Sequence, residues 1–109
     1  MNGTYPQLIN ENVLDRQTMG DRHLAAELLA MFVAQLDAAS QEIATCPFER
    51  RAALAHSLKG TARSLGIEDV AACAAELENA VAPDGAASRL GALAAALRRE
   101  VDARLPGPG

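Results

Sequence analysis

Apolar residues recur along this chain at helical rather than strand spacing, and turn-forming residues cut the pattern into a succession of amphipathic segments. A polar lead over residues 1–12, containing Pro6, precedes a short segment from Val13 to Met19 that predicts a helix closed by Gly20. Asp21 is placed to N-cap a long helix running to about Ala44, with Leu24, Leu28, Met31, Phe32, Gln35 and Leu36 spaced for one face. Pro47 ends that helix and opens the next, which runs from about Phe48 to Leu65, carries Leu54, Leu58 and Leu65, and closes at Gly66. A fourth helix is expected from about Glu68 to Val81, with Val70, Cys73, Ala74 and Leu77 on one side. Pro83, Asp84 and Gly85 form the next turn, and a last amphipathic helix carries Leu90, Leu93, Leu97, Val101 and Leu105. Residues 106–109, Pro-Gly-Pro-Gly, cannot continue it and predict a flexible tail. No stretch alternates as a strand would, and short links between long helices imply antiparallel neighbours. The expected fold is all-α: an antiparallel up-down four-helix bundle over residues 13–105, with a short additional N-terminal helix.

Composition narrows the picture. With 109 residues and 50% hydrophobic residues, the chain suffices for one apolar core and makes two packed domains improbable on size. Aromatic residues are 3% and Trp is absent, while Ala is roughly a fifth of the chain, so the core is expected to be Leu, Ala, Val and Ile in closely packed helices. Ten Lys and Arg against fourteen Asp and Glu give a net charge of −4, which disfavours a general nucleic-acid binder because phosphate neutralisation needs a basic surface. No run approaches the eighteen or so apolar residues of a membrane span, and the N-terminus has neither a basic start nor an apolar h-region. The expectation is a soluble cytoplasmic protein, monomeric because the bundle needs no second chain. Cys46 and Cys73 are far apart and lack the companions of a zinc site, so both are read as free thiols.

The distinctive chemistry lies between Ala55 and Gly66. On a helical wheel with His56 at zero, Leu54, Leu58 and Leu65 fall at about 160°, 200° and 180°, so the imidazole faces away from the apolar stripe. On its own side stand Lys59 at about −60°, Arg63 at about −20°, Glu49 at about 20°, and the small residues Ala52 and Gly60 at about −40° and 40°. A mid-helix Gly costs about 0.5–1 kcal/mol relative to Ala, so the cleared patch needs a reason. One reason is a partner surface descending onto the imidazole, with Lys59 and Arg63 supplying positive charge beside an anionic group on the ring. A neutral, exposed histidine is also a competent nucleophile. Composition and spacing alone leave open the plainer alternative of an ordinary solvated helix face with a tolerated glycine.

The run His56-Ser57-Leu58-Lys59-Gly60 followed by Leu65-Gly66 resembles the H-x-L-K-G-x4-L-G signature of histidine phosphotransfer (HPt) domains, the intermediates of multistep phosphorelays. Cys73 with Leu77-Glu78 is similar to the C-x3-L-E that commonly follows in that family, and Leu28 to Phe32 matches a Leu-x2-Met-Phe of the preceding helix. The resemblance spans about Val13 to Leu105. It implies a four-helix bundle whose histidine takes a phosphoryl group from the aspartyl phosphate of one receiver domain and passes it to the aspartate of another. Carried onto this chain, it makes His56 the phosphorylated residue, Lys59 the cation that helps hold the phosphoryl oxygens, and Gly60 the residue leaving room for the receiver. It further implies that the distal Nε2 carries the phosphate. The expected partners are response-regulator receiver domains and a hybrid sensor histidine kinase, docking on a rim that includes Glu49, Ala52, Ala53, Arg63 and Ser64. No cofactor of the chain's own is expected, Mg²⁺ being placed on the receiver; no P-loop or kinase glycine loop occurs. The two small residues often found after the motif glycine are here Thr61 and Ala62, and the segment before the motif is short.

Two other readings stand beside the phosphoryl carrier. One is an HPt-like module that docks or inhibits a kinase or receiver without carrying phosphate, against which the retention of His56 with Lys59 and Gly60 argues for a carrier. The other is the substrate domain of a chemotaxis-type kinase or a piece of a hybrid kinase; Met1 and the Pro/Gly ending are expected rather of a standalone protein. A metal-binding bundle would need Glu and Glu-x-x-His ligands at inward positions, and neither histidine has that spacing. His23 is expected on the surface near the helix start, and Arg50 and Arg51 either on a solvated face or in a docking rim. Leu8, Ile9, Val13, Leu14 and Met19 are expected to cover one end of the bundle or to face a partner. The pair Arg98-Arg99 is too isolated to mark a nucleic-acid site.

Overall fold

The computed structural model describes residues 7–104, and within them every regular element is a helix. In chain order these are α1 (Glu11–Thr18), α2 (Arg22–Ile43), α3 (Phe48–Ser64), α4 (Glu68–Leu77) and α5 (Ala86–Arg104). Leu105 and the residues 106–109 expected to form a tail lie outside the described residues. Two cross-links fix α2 and α3 as antiparallel neighbours: Arg50 donates to Glu42 beside the Cys46-Pro47 turn, and Gln35 donates to Ser57 two turns further on. The four long helices close on one core in which Leu36, Leu58, Ile67, Val70, Leu90 and Leu97 are completely buried. Between α3 and α4 that core is lined by Ala55, Ala62, Ala71 and Ala74, each without exposed surface, and residues this small allow two backbones to approach closely.

The helix ends are explained by local chemistry. Asp21 caps α2 by accepting from the Leu24 amide at 2.9 Å, as its side chain predicts. The α3 terminus is a Schellman turn: Gly66 adopts φ +79°, the Ile67 amide reaches back to the Ala62 carbonyl at 2.8 Å, and the Gly66 amide to that of Arg63 at 3.2 Å. Two boundaries differ from the sequence reading. The left-handed residue that ends α1 is Met19 (φ 53°), one before Gly20, and its side chain is 91% exposed. The fourth helix stops at Leu77 instead of Val81, because the Arg51 guanidinium reaches across from α3 to the carbonyls of Leu77, Asn79 and Ala80 and takes the place of further helical donors. Of the lead, residues 1–6 lie outside the described residues, and Leu8 and Ile9 are buried in the core, as one of their two expected roles has it, their amides bonded to the Glu100 carboxylate of α5 at 2.7 and 3.1 Å.

The buried face of α2 is also rotated from the one expected. Ala25, Leu29, Phe32, Val33, Leu36, Ala39 and Ile43 point inward, whereas Leu24 and Met31 are exposed and Leu28 is half-buried. This helix is apolar around much of its circumference, so periodicity did not choose between adjoining rows, and packing selected the one centred on Leu29, Phe32 and Leu36. Leu54 is likewise only partly buried, the inward stripe of α3 being centred on Ala55, Leu58 and Ala62.

Two of the left-handed positions, Gly66 and Met19, give opposite expectations. At Gly66 a Cβ would lie 2.8 Å from the Asn10 carbonyl oxygen and 3.0 Å from Val13 Cβ, so Gly66→Ala is expected to lower stability by more than about 1 kcal/mol. Met19→Gly, relieving an L-residue at positive φ, is expected to raise it by about 0.5–1 kcal/mol. Urea midpoints of the two variants against the parent chain check both signs.

Candidate functional site

The helix α3 buries one face and offers the other to solvent, and His56 stands in the middle of the offered face with its side chain 74% exposed. Gly60, one turn further on, is open: a Cβ there would meet nothing within 4 Å. The two glycines of the segment therefore differ in kind. Gly66 is required by the chain's own close contact with Asn10, whereas nothing in the fold requires Gly60 to lack a side chain.

The imidazole is not free on both sides. Its Nδ1 lies 2.7 Å from Glu78 Oε2, and the other oxygen of the same carboxylate receives the Lys59 ammonium. Glu78 and Lys59 are each only 22% exposed, so this pair is sheltered while the histidine is not. Hydrogen bonding from Lys59, and then from His56, holds the Glu78 carboxyl below the usual glutamate range. An ionised carboxylate only accepts, so Nδ1 carries the proton and the lone pair of the neutral ring resides on Nε2. Among the described residues Nε2 has no hydrogen-bond partner. The ammonium has three donors and spends one on Glu78, leaving others for an anion on the ring.

The α3–α4 hairpin brings Glu78 there. His56 is ten residues before Gly66 and Glu78 twelve after it, so once α4 folds back along the alanine-lined seam the two are level. Glu78 is the C-cap of α4, immediately beyond the Leu77 carbonyl held by Arg51. Sequence reasoning noted Glu78 only as part of a family-like pattern and did not place it in the site; the signal available was its spacing from His56 on either side of Gly66.

The flanks of His56 are unlike. On the α4 side stand Lys59 and Glu78, then Arg63, whose guanidinium is 4.0 Å from Glu68. On the α2 side Gln35 bonds to Ser57 at 3.3 Å, and the antiparallel register places Met31 level with Gly60 and Thr61, and Leu28 level with Ser64. Leu24, Leu28, Met31 and Gln35 form one stripe of α2, so this flank is apolar and uncharged, a feature the sequence reading had assigned to the core.

Of the rim residues expected from sequence, Glu49, Ala53, Arg63 and Ser64 are exposed on the His56 side of α3, while Ala52 is half-buried. The Ser64 hydroxyl donates to the Thr61 carbonyl at 3.0 Å. Arg50 and Arg51 are engaged within the fold, with Glu42 and with the end of α4. His23 is on the surface, its Nε2 3.6 Å from Glu27. Cys46 and Cys73 are free; burial pushes the Cys73 thiol up, and its Sγ donates to the Ala86 carbonyl at 3.3 Å. Among the described residues no group of three His, Cys, Asp or Glu side chains is placed to share a metal ion, and no helix is long and apolar enough to cross a membrane.

No curated protein and no solved structure was found to match the chain. The model of one family, described as the Hpt domain, matches residues 23–105, which takes in α2 to α5 and every residue of the His56, Lys59, Gly60 and Glu78 constellation. Domains of this family serve histidine phosphotransfer in phosphorelays and interact with receiver domains and kinases. With a matching helical bundle, the match over three quarters of its length assigns the chain to the Hpt domain family.

Proposed function

We propose that His56 is the phosphoryl carrier of this chain, accepting the group on Nε2 from the aspartyl phosphate of one receiver domain and passing it to the aspartate of another. The observation that carries this reading is the asymmetry of the imidazole: Nδ1 is tied to a sheltered carboxylate, and Nε2 stands in an opening that Gly60 keeps clear. In the forward step the Nε2 lone pair attacks phosphorus in line, the bond to the aspartyl oxygen breaks, and the receiver's carboxylate departs with that electron pair. The Nδ1 proton stays on the ring against Glu78. Lys59 meets part of the charge on the phosphoryl oxygens, and the receiver meets the rest with its own cations, Mg²⁺ among them. Positioning by a rigid helix accounts for most of what this chain contributes.

The receiver's footprint follows from the two flanks. Even a transient protein contact covers several hundred Å² per partner, about 800 Å² for a standard one, so a surface centred on His56 reaches well beyond α3. The apolar stripe of Leu28 and Met31 supplies the centre such contacts need, with Gln35, Ser64, Ala53 and Glu49 around it. The charged α4 flank is expected to serve the phosphoryl group and the interface edge. Either a response regulator or the receiver of a hybrid sensor kinase fits this description.

Mixing the chain with a panel of phosphorylated receiver domains, read by intact mass and acid lability, tests the carrier role. Phosphate is expected to arrive on the parent chain and not on His56→Gln, whose stability should stay within about 0.5 kcal/mol of the parent. Binding without transfer across the panel overturns the carrier reading in favour of a docking module. Gly60→Gln is expected to spare or stabilise the helix by about 0.5–1 kcal/mol while slowing transfer; an unchanged rate removes the access role of the glycine. Met31→Glu is expected to raise the receiver concentration giving half-maximal transfer about tenfold, the loss of one apolar contact at about 1.4 kcal/mol, with little change in the saturated rate.

A further inference from the structure

On the reading that His56 carries phosphate on Nε2, we propose that Glu78 sets the lifetime of that phosphohistidine by holding a proton on Nδ1. Glu78 Oε2 lies 2.7 Å from Nδ1, and the phosphoryl group would grow from the other nitrogen, leaving this hydrogen bond in place. The proton decides how the N–P bond breaks. With Nδ1 protonated, an oxygen nucleophile attacks phosphorus, the N–P electron pair returns to Nε2, and the leaving group is neutral imidazole that keeps its Nδ1 proton. With Nδ1 bare, the same cleavage would have to expel an imidazolate anion, a far poorer leaving group. The nucleophile is water in hydrolysis, its protons passing to solvent and phosphate, or the receiver's aspartate in transfer. A carboxylate at hydrogen-bond distance favours the protonated ring, so it extends the labile form to higher pH.

Other charged groups near the imidazole leave this assignment to Glu78. On α3 itself Lys59 lies one turn away and opposes ring protonation, though Glu78 partly neutralises it; Arg63 leans toward Glu68, and Glu49 is two turns back on the exposed face. From α4 the group facing the ring is Glu78. Toward this face α2 offers the neutral Gln35, and its ionised contact with α3 is the Glu42–Arg50 pair near the Pro47 turn. The first helix approaches α3 at the Gly66 end, away from His56. Lys59 and Glu78 therefore pull in opposite directions, which makes the assignment separable by substitution.

The test is the decay of phosphate on the full chain after loading with phosphoramidate, a small donor that bypasses any receiver, followed by phosphorus NMR from acid to neutral pH. Parent, Glu78→Gln, Lys59→Gln and His56→Gln are compared. The acid limb of the decay profile is expected to move about one pH unit lower in Glu78→Gln, which makes its phosphohistidine about tenfold longer-lived at neutral pH. In Lys59→Gln, where the whole carboxylate charge faces Nδ1, the limb is expected to move higher. A merely structural role for Glu78 would change loading or folding without displacing the limb. Superimposed profiles for parent and Glu78→Gln overturn the proposal and leave the carrier reading standing. Phosphate absent from the parent chain, or present equally on His56→Gln, overturns the carrier reading and the proposal with it.

Discussion

The site depends on how closely α3 and α4 can lie together. Ala55 and Ala62 on one helix and Ala71 and Ala74 on the other leave no side-chain bulk in the seam, so the second helix returns near enough for its terminal carboxylate to reach the first. The turn that starts the return is equally constrained. Gly66 must be left-handed, and it must lack a side chain because the Asn10 backbone passes across it, donating to the Gly66 carbonyl at 2.8 Å. Small residues at one seam and one turn thus set the geometry of a charged cluster about three helical turns away.

The end of α4 is fixed from the opposite direction. Arg51, five residues before His56 on the same helix, reaches the same end of α4, where its guanidinium closes the free carbonyls. Glu78 follows immediately. Within α3 about one and a half turns therefore hold both the residue that ends the neighbouring helix and the residue that uses what lies beyond that end. This coupling is local and polar.

Most of the architecture was legible in the sequence because it rests on residues whose effect is local. Asp21, Pro47, Gly66 and the Pro83–Gly85 turn act on their own neighbours, and the helices begin or end beside them. The features that were not legible are set by contacts across the fold. The inward face of α2 was displaced toward Ala25, Leu29 and Val33 because periodicity alone cannot choose a face on a helix that is apolar over much of its circumference. The early end of α4 depends on an arginine 26 residues away from Leu77 in sequence. At the site, the solvent-facing position of His56 and the space at Gly60 could be read from a helical wheel. The Glu78 bridge could not, because it requires knowing how α4 returns.

The exposure of His56 on a single face has a consequence for the order of events in a relay. A carrier whose reactive nitrogen stands exposed on one helix face, bordered by one apolar stripe, has one berth for two partners. If His56 carries the phosphate as proposed, donor and acceptor receivers would occupy it in turn, a free phosphorylated state would lie between them, and the kinetics would be those of a shuttle. Affinity for either partner works against the exchange when it is too high, because a receiver that has delivered its phosphate and lingers blocks the one that should collect it.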